Sequence, residues 1–423
     1  MALKILWFSN AMFSAEKTKS TGTWLFTMAD ALIGQGIDLY NITQSSRYDK
    51  IVSEVARSVK QWVLPTFKLH HGLPSRQHIN EICDIVDSIK PDIIHIWGIE
   101  SYWGLLTARG YIKGNVLLEI QGIRETCARV FYGGLTFPEI LSTIRTKEII
   151  KPSISLPFQK RKFSRWSRYE REMISAHKYI TTQSDWVRSW FFQFISPDAQ
   201  YFETDLIVRD QFLESEPWQK PAHSKLAPVI FTLSSEAHAF KGLHDGVKGV
   251  AILKKKYPNI QFRIAGNFEV NRPNYKKNGY TKYLLSLIKK YGLLDNVIFL
   301  GPLDAEALCQ EMLNADVMLQ TSYVESYSLA LSEAMAVGVP CVVSYAGAMS
   351  ELANDGGEAL FYTPSDYFKL AFLADKIICD KRLSVILSGN ARKLAHKRNC
   401  SKSILEKQMT IYNQVCRTKC LSI

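Results

Sequence analysis

Short apolar runs alternate with amphipathic stretches along nearly the whole chain, and this alternation restricts the fold more than any other feature. Leu3–Phe8, Ile37–Ile42, Ile93–Trp97 and Val116–Ile120 have the length and continuous apolarity of buried strands. Trp24–Leu32 and His78–Ile89 carry the helical period between them. Strands that alternate with helices predict βαβ units and a parallel sheet, so the expected class is α/β. A second series follows, with strands at Val229–Leu233, Gln261–Ala265, Val297–Leu300, Val317–Leu319 and Cys341–Ser344. Helical patterns at Leu243–Tyr257, Tyr280–Tyr291, Ala305–Leu313 and Leu329–Val337 separate them. Between the two series, 214–228 holds Pro217, Pro221 and Pro228 among polar residues and reads as a linker. The expected organisation is a doubly wound domain over 1–213, a linker over 214–228 and a second domain over 229–400. A final helix at about 401–423 is expected to pack back on the first.

The length of 423 residues suits two or three domains, and 47% hydrophobic residues supply their cores. With only 22% charged residues, large-scale disorder is not expected. The formal net charge of +12 favours acidic partners: phosphorylated substrates, anionic membranes or nucleic acid. No nucleic-acid recognition motif accompanies the charge, so nucleic acid is not expected as a partner. The eight cysteines lack metal-ligand spacing and read as thiols in a reducing cytoplasm. The first residues, MALKILWFSNAMF, read as a strand and not as a signal peptide. No run reaches the roughly 18 apolar residues of a membrane span. The expected location is cytoplasmic, or peripheral on the inner face of the cell membrane. For the second case the stretch 145–171 is the candidate. Lys160, Arg161, Lys162, Arg165 and Arg168 interleave there with Phe163, Trp166 and Tyr169, and Phe163, Trp166, Met173 and Ile174 can share one helical face. A helix packed on its own domain is the alternative.

The segment TSYVESYSLALSEAMAVGVPCVVSYAGAMSE carries the densest chemistry. Glu325 lies in a loop after a strand, Ser328 and Leu329 open a helix, and Glu333 lies more than one turn into it. Unpaired amides at a helix start, together with the dipole, make an anion site suited to a pyrophosphate. Carboxylates accept hydrogen bonds from paired hydroxyls such as those of a ribose or sugar. Gly338 and Pro340 close the helix, and Gly347 falls where backbone could come close to a ligand.

This pattern resembles the donor motif of glycosyltransferase family 4, in which a Glu, a Gly-rich tetrapeptide, a second Glu eight residues on and Ala-Met-Ala-x-Gly-x-Pro follow in order. Glu325, Ser328-Leu329, Glu333-Ala334-Met335-Ala336, Gly338 and Pro340 fit it, with Ser326 and Ser328 where glycines are common. Lys241-Gly242 resembles the lysine that meets the donor phosphates, Gly266 ends the following strand, and Leu303 matches the residue against the nucleobase. Ser234-Ser235 stands where Gly-Arg is frequent, and Ser235 is the candidate replacement for that phosphate contact. In the first half, Gly22 matches the loop facing the phosphates, His95 the first histidine of a strand motif, and Gln121 the place of a histidine near the reacting sugar. Arg188 is a candidate acceptor-side contact. A core position for His95 and a solvated one for Arg188 are the alternatives.

The resemblance implies a GT-B fold, two Rossmann-like doubly wound domains facing a central cleft. It also implies transfer from a nucleoside-diphosphate sugar to a glycan or lipid-linked acceptor, with retention of configuration and no cofactor or metal. Glu325 and Lys241 would be catalytic, and Gly22, Ser235, Gly266, Leu303, Ser328, Leu329 and Glu333 donor-binding. Bacterial surface polysaccharide synthesis is the setting it suggests. A nucleotide-sugar epimerase and a non-catalytic sugar-nucleotide-binding subunit remain as other readings. Product formed without any acceptor would mark the first, and donor binding without turnover the second.

Overall fold

A computed structural model describes residues 2–14, 23–144, 146–222, 226–273 and 275–417. Its contacts divide the chain into two units. The first comprises residues 1–124, 165–207 and 399–423; the second comprises 125–164 and 208–398.

The first unit is built on eight strands: β1 Lys4–Phe8, β2 Asp38–Gln44, β3 Val52–Ala56, β4 Val59–Leu64, β5 Ile93–Trp97, β6 Val116–Glu119, β7 Tyr179–Thr182 and β8 Gln200–Glu203. They lie in the order β3-β4-β2-β1-β5-β6-β7-β8. All neighbours run parallel except β3, which pairs antiparallel with β4. β5 is buried along its whole length, as helices on both faces of a sheet require. The helix Arg76–Ile89 turns Ile79, Ile82, Val86 and Ile89 inward, one residue per turn, and Ser75 caps its start by accepting from the His78 amide. The helix Ser401–Arg417 belongs to this unit, where Tyr412 is fully buried and the Asn399 amide donates to the Leu206 carbonyl at 2.8 Å.

The second unit has six strands: β9 Val229–Glu236, β10 Gln261–Asn267, β11 Val297–Gly301, β12 Val317–Gln320, β13 Cys341–Ser344 and β14 Leu360–Tyr362. All pairings are parallel, in the order β11-β10-β9-β12-β13-β14. Numbered within the unit this is 3-2-1-4-5-6, the doubly wound order whose ligand site lies at the carboxyl ends of strands one and four. Here those strands are β9 and β12.

Two boundaries differ from the sequence reading. Residues 125–164 group with the second unit and not with 1–213. Phe131 and Phe163 supply the physical reason: their rings pack on Phe240 at 5.7 and 6.4 Å and on His238 at 6.3 and 6.4 Å. The 214–228 stretch is also more than a linker. Trp218 is buried, its indole donates to the Ala315 carbonyl at 2.8 Å, and its amide donates to the Val337 carbonyl at 3.1 Å.

The basic helix, Leu156–Ala176, spends its apolar face within the protein. Met173 and Ile174 are fully buried, Trp166 donates to the Ile99 carbonyl at 2.9 Å, and Phe163 joins the aromatic cluster above. The helical face expected for membrane docking, Phe163, Trp166, Met173 and Ile174, is therefore occupied within the protein. Among the described residues no helix is long and apolar enough to cross a membrane.

Candidate functional site

Lys241 and Glu325, 84 residues apart in sequence, meet at the carboxyl ends of β9 and β12. The Lys241 Nζ lies 2.7 Å from Glu325 Oε1, and the Ser322 hydroxyl donates to the same oxygen at 2.6 Å. Both side chains are partly open, 26% and 15% exposed, so the pair can meet a ligand. Backbone contacts hold the two loops against each other. Tyr323 N donates to Phe240 O at 2.7 Å, and the Thr321 hydroxyl to Lys241 O at 2.9 Å. Gly242 is left-handed at φ +69°, and a Cβ there would stand 1.8 Å from Thr321 O. Only glycine tolerates both that angle and that approach.

Gly347 does a related job for Glu325. At φ +58° its Cβ would fall 2.0 Å from the Glu325 carbonyl, which the Ala348 amide meets at 2.9 Å. The close backbone approach at Gly347 is thus to Glu325 itself and not to a ligand.

Ser328 caps the helix Leu329–Val337, its hydroxyl accepting from the Leu331 amide at 3.2 Å. That leaves the Leu329 and Ala330 amides of the first turn without intrahelical acceptors. Gly338, left-handed at φ +91°, closes the helix. Glu333 is 3% exposed, and Arg209 grips its Oε1 through Nε at 2.8 Å and Nη2 at 2.7 Å. Burial raises the Glu333 carboxyl above the usual range while Arg209 pulls it down. Arg209 precedes the short helix Asp210–Leu213 and gave no signal in the sequence, because its partner is 124 residues away.

Gly266 and Leu303 fall along the same edge of the sheet. Gly266 is the last residue but one of β10, at φ +130°, where a Cβ would stand 1.8 Å from Ser234 O. Leu303 is half-buried in the loop after β11. Ser235 belongs to β9, but its side chain lies outside the described residues, as does Gly22 altogether. A separate cavity of about 250 Å³ is lined by His238, Asn267, Glu269 and Tyr280 among others, and by neither Lys241 nor Glu325.

In the first unit, His95 has no accessible surface. It contacts the Tyr412 hydroxyl through Nδ1 at 2.8 Å, and its Nε2 lies 3.5 Å from Glu119 Oε2. This is the core position named as the alternative for His95. Arg188 is exposed and stacks over the Tyr201 ring at 4.6 Å. Gln121 lies just beyond β6, and Glu100, absent from the sequence reading, lies just beyond β5. The Glu100 carboxylate spans two glycines: a Cβ at Gly98 would stand 2.3 Å from its Oε2, and one at Gly122 would stand 2.2 Å from its Oε1. Burial raises the Glu100 carboxyl, while the amides of Glu100, Gly122 and Ile99 and the charge of Arg124 offset this. Among the described residues, Glu100 Oε2, Gln121 Nε2 and Trp97 Nε1 have no hydrogen-bond partner.

Glu119 and His95 form a buried neutral pair. Burial pushes the Glu119 carboxyl up to about 8 and holds the His95 imidazole well below its usual range. A carboxyl raised on folding contributes stability below its unfolded pKa and loses it as pH rises toward the folded value. The Glu119 contribution should therefore fall between about pH 5 and about pH 8, by at most about 1.4 kcal/mol per pH unit, and below about pH 6.5 the buried neutral His95 opposes it. Glu119→Gln retains an acceptor for Gln183, its neighbour in this pair, and cannot ionise. Thermal unfolding of the variant should show a flatter profile than wild type between about pH 6.5 and about pH 8. Equal slopes for both proteins would remove the assignment.

The fold is GT-B. Sucrose-phosphate synthase from Thermosynechococcus elongatus matches with a TM-score of 0.73 and 16% identity, over 98% of this chain and 100% of that one. Anabaena HepE, solved in complex with UDP and glucose, matches with a TM-score of 0.66 and 15% identity, over 97% and 100%. Residues 215–394 match the family model described as Glycosyl transferases group 1. The chain is 33% identical over 134 residues to N-acetyl-alpha-D-glucosaminyl L-malate synthase of Bacillus anthracis, covering 32% of this chain and 35% of that protein. It is 26% identical over 196 residues to MMP alpha-(1->4)-mannosyltransferase of Mycolicibacterium hassiacum, covering 46% and 45%. The chain thus spans from about a third to under half of the length of these curated relatives. The family match and the relatives' names together support the group 1 glycosyltransferase superfamily.

Proposed function

We propose that this protein transfers a sugar from a nucleoside-diphosphate sugar to a hydroxyl of a glycan or lipid-linked acceptor, with retention of configuration and without a metal ion. The observation that carries the reading is the Lys241–Glu325 pair, 2.7 Å apart at the doubly wound switch point and beside a capped helix start. Lys241 and the first-turn amides offset the charge that builds on the leaving diphosphate as the sugar C1–O bond breaks. Glu325 orients the donor sugar through its hydroxyls, and Glu333, held by Arg209, takes the ribose. The acceptor hydroxyl forms the new bond to C1 on the same face, and its proton passes to the departing phosphate oxygen. The names of the relatives and the UDP-glucose complex of HepE favour a sugar nucleotide as the donor. Surface polysaccharide assembly at the cytoplasmic side of a bacterial membrane is the setting we infer.

A thermal-shift panel of nucleoside-diphosphate sugars tests the reading directly. Ligand that binds only the native state raises stability by about 2.7 kcal/mol at a hundred times its Kd. A stabilising sugar nucleotide, followed by transfer that survives EDTA, is the expected result. If no member of the panel shifts the transition, the reading fails.

On the acceptor side we assign Glu100 together with Gln121. Removing a hydrogen bond to a charged group costs about 1.5–3 kcal/mol, so Glu100→Ala should lower kcat/KM for the acceptor about 10- to 100-fold. Slow hydrolysis of the donor, which needs no acceptor, should be unaffected. An equal loss in both reactions would mean that Glu100 only braces the loops at Gly98 and Gly122.

A further inference from the structure

Between residues 137 and 150 the chain displays Phe137, Leu141, Ile149 and Ile150 at 71, 50, 69 and 79% exposure. This is a braced platform. The helix Phe137–Ser142 begins with a capping box in which Glu139 accepts from the Thr136 amide at 2.8 Å. Glu139 also accepts from the Tyr283 hydroxyl at 2.6 Å and lies 3.3 Å from Lys248. Gly279 lets the helix Gly279–Lys290 come so close that a Cβ would stand 1.9 Å from the Thr143 carbonyl. The helix Thr146–Ile150 is tied in by Lys147, whose Nζ donates to the Lys276 carbonyl at 2.9 Å.

Between these helices runs a groove of about 850 Å³, lined by Ile150 and Tyr275 with Lys147, Lys151, Lys282 and Lys289. No carboxylate is among its lining residues. The nearby Glu148 is buried and lies 4.0 Å from Lys282, and Glu139 is engaged as described. Bulky apolar side chains in water beside Lys147, Lys151 and Lys289, which pair with no carboxylate among the described residues, match one partner on both counts. A soluble anion would account for the lysines but not for Ile149 or Phe137. An apolar protein surface would account for the isoleucines and leave the lysines unmatched.

We propose that this face docks the protein on an anionic lipid bilayer. Ile149, Ile150, Phe137 and Leu141 enter the headgroup–acyl boundary, and Lys147, Lys151 and Lys289 meet lipid phosphates. The inference is independent of the transfer chemistry and replaces the face of the Leu156–Ala176 helix as the membrane contact.

Flotation of the full chain with phosphatidylcholine vesicles, with and without phosphatidylglycerol, tests it. Wild-type protein should float with the phosphatidylglycerol vesicles, and added salt should weaken the association. Ile149→Asp/Ile150→Asp and Lys151→Glu/Lys289→Glu should each reduce it by about tenfold or more. Arg161→Gln/Arg165→Gln should leave it largely intact. All variants should keep the wild-type melting temperature and the same thermal shift with a sugar nucleotide, which separates this result from the fate of the proposed activity. Absence of wild-type flotation, unchanged flotation of both the isoleucine and the lysine variants, or loss confined to the arginine variant would each overturn the proposal. So would self-association or capture of a protein partner through this face in place of vesicle binding.

Discussion

Replacing Lys241 by alanine should lower turnover of the sugar nucleotide by about 100- to 1,000-fold, the range seen when one fixed donor to a developing anion is removed. The fold should survive. The Lys241 side chain is 26% exposed, and its loop is held by backbone contacts at Phe240 and Thr321 that alanine leaves in place. Glu325→Ala should cost a similar factor. The two changes should not add in the double variant, because the side chains act as one pair at 2.7 Å and each loses its partner when the other is removed. Steady-state release of the nucleoside diphosphate from purified proteins measures all three. Wild-type turnover in either single variant would place the chemistry elsewhere in the molecule.

The second large effect is expected at Arg209. Arg209→Ala leaves the Glu333 carboxylate buried at 3% exposure without the guanidinium that grips it. Breaking a buried pair by removing one partner typically costs about 3–5 kcal/mol, because the other charge stays behind uncompensated. Burial already raises the Glu333 carboxyl, and loss of Arg209 removes the attraction that opposes it. The variant should therefore be weakest at high pH, where the carboxyl must ionise in the apolar interior, and should recover as pH falls. Adding Glu333→Gln to the variant removes the stranded charge and should restore part of the stability. Denaturant unfolding of the single and double variants decides the matter. If Arg209→Ala unfolds at the wild-type midpoint, the pair is incidental.

Local pattern made much of this architecture readable. Ile93–Trp97, Leu329–Val337 and Cys341–Ser344 have the bounds expected from their apolar runs and caps. Burial on both sheet faces writes itself into sequence as continuous apolarity, and helix ends write themselves as serine and glycine. The hairpin of β3 and β4 was not legible. Its turn residues, Arg57 and Ser58, take φ of +52° and +62° without the Asn-Gly signal that such turns favour. The boundary at 125–164 was hidden for another reason: what assigns it is the packing of Phe131 and Phe163 on Phe240, a contact that leaves no local periodicity.

The site divides along the same line. Glu325, Lys241, Ser328 and Glu333 stand out in the sequence because each lies in a short motif whose spacing follows from a strand, a loop and a helix start. Arg209 and Glu100 do not stand out, since a guanidinium that grips a distant carboxylate and a carboxylate wedged between Gly98 and Gly122 are products of three-dimensional approach. The membrane-docking face shows the difference most plainly. Sequence alone registered basic and aromatic residues over 145–171, because charge and apolarity are properties of residues. Which apolar side chains stay in water depends on what else the chain packs against them. Tertiary structure buried Met173 and Ile174 and left Ile149 and Ile150 exposed.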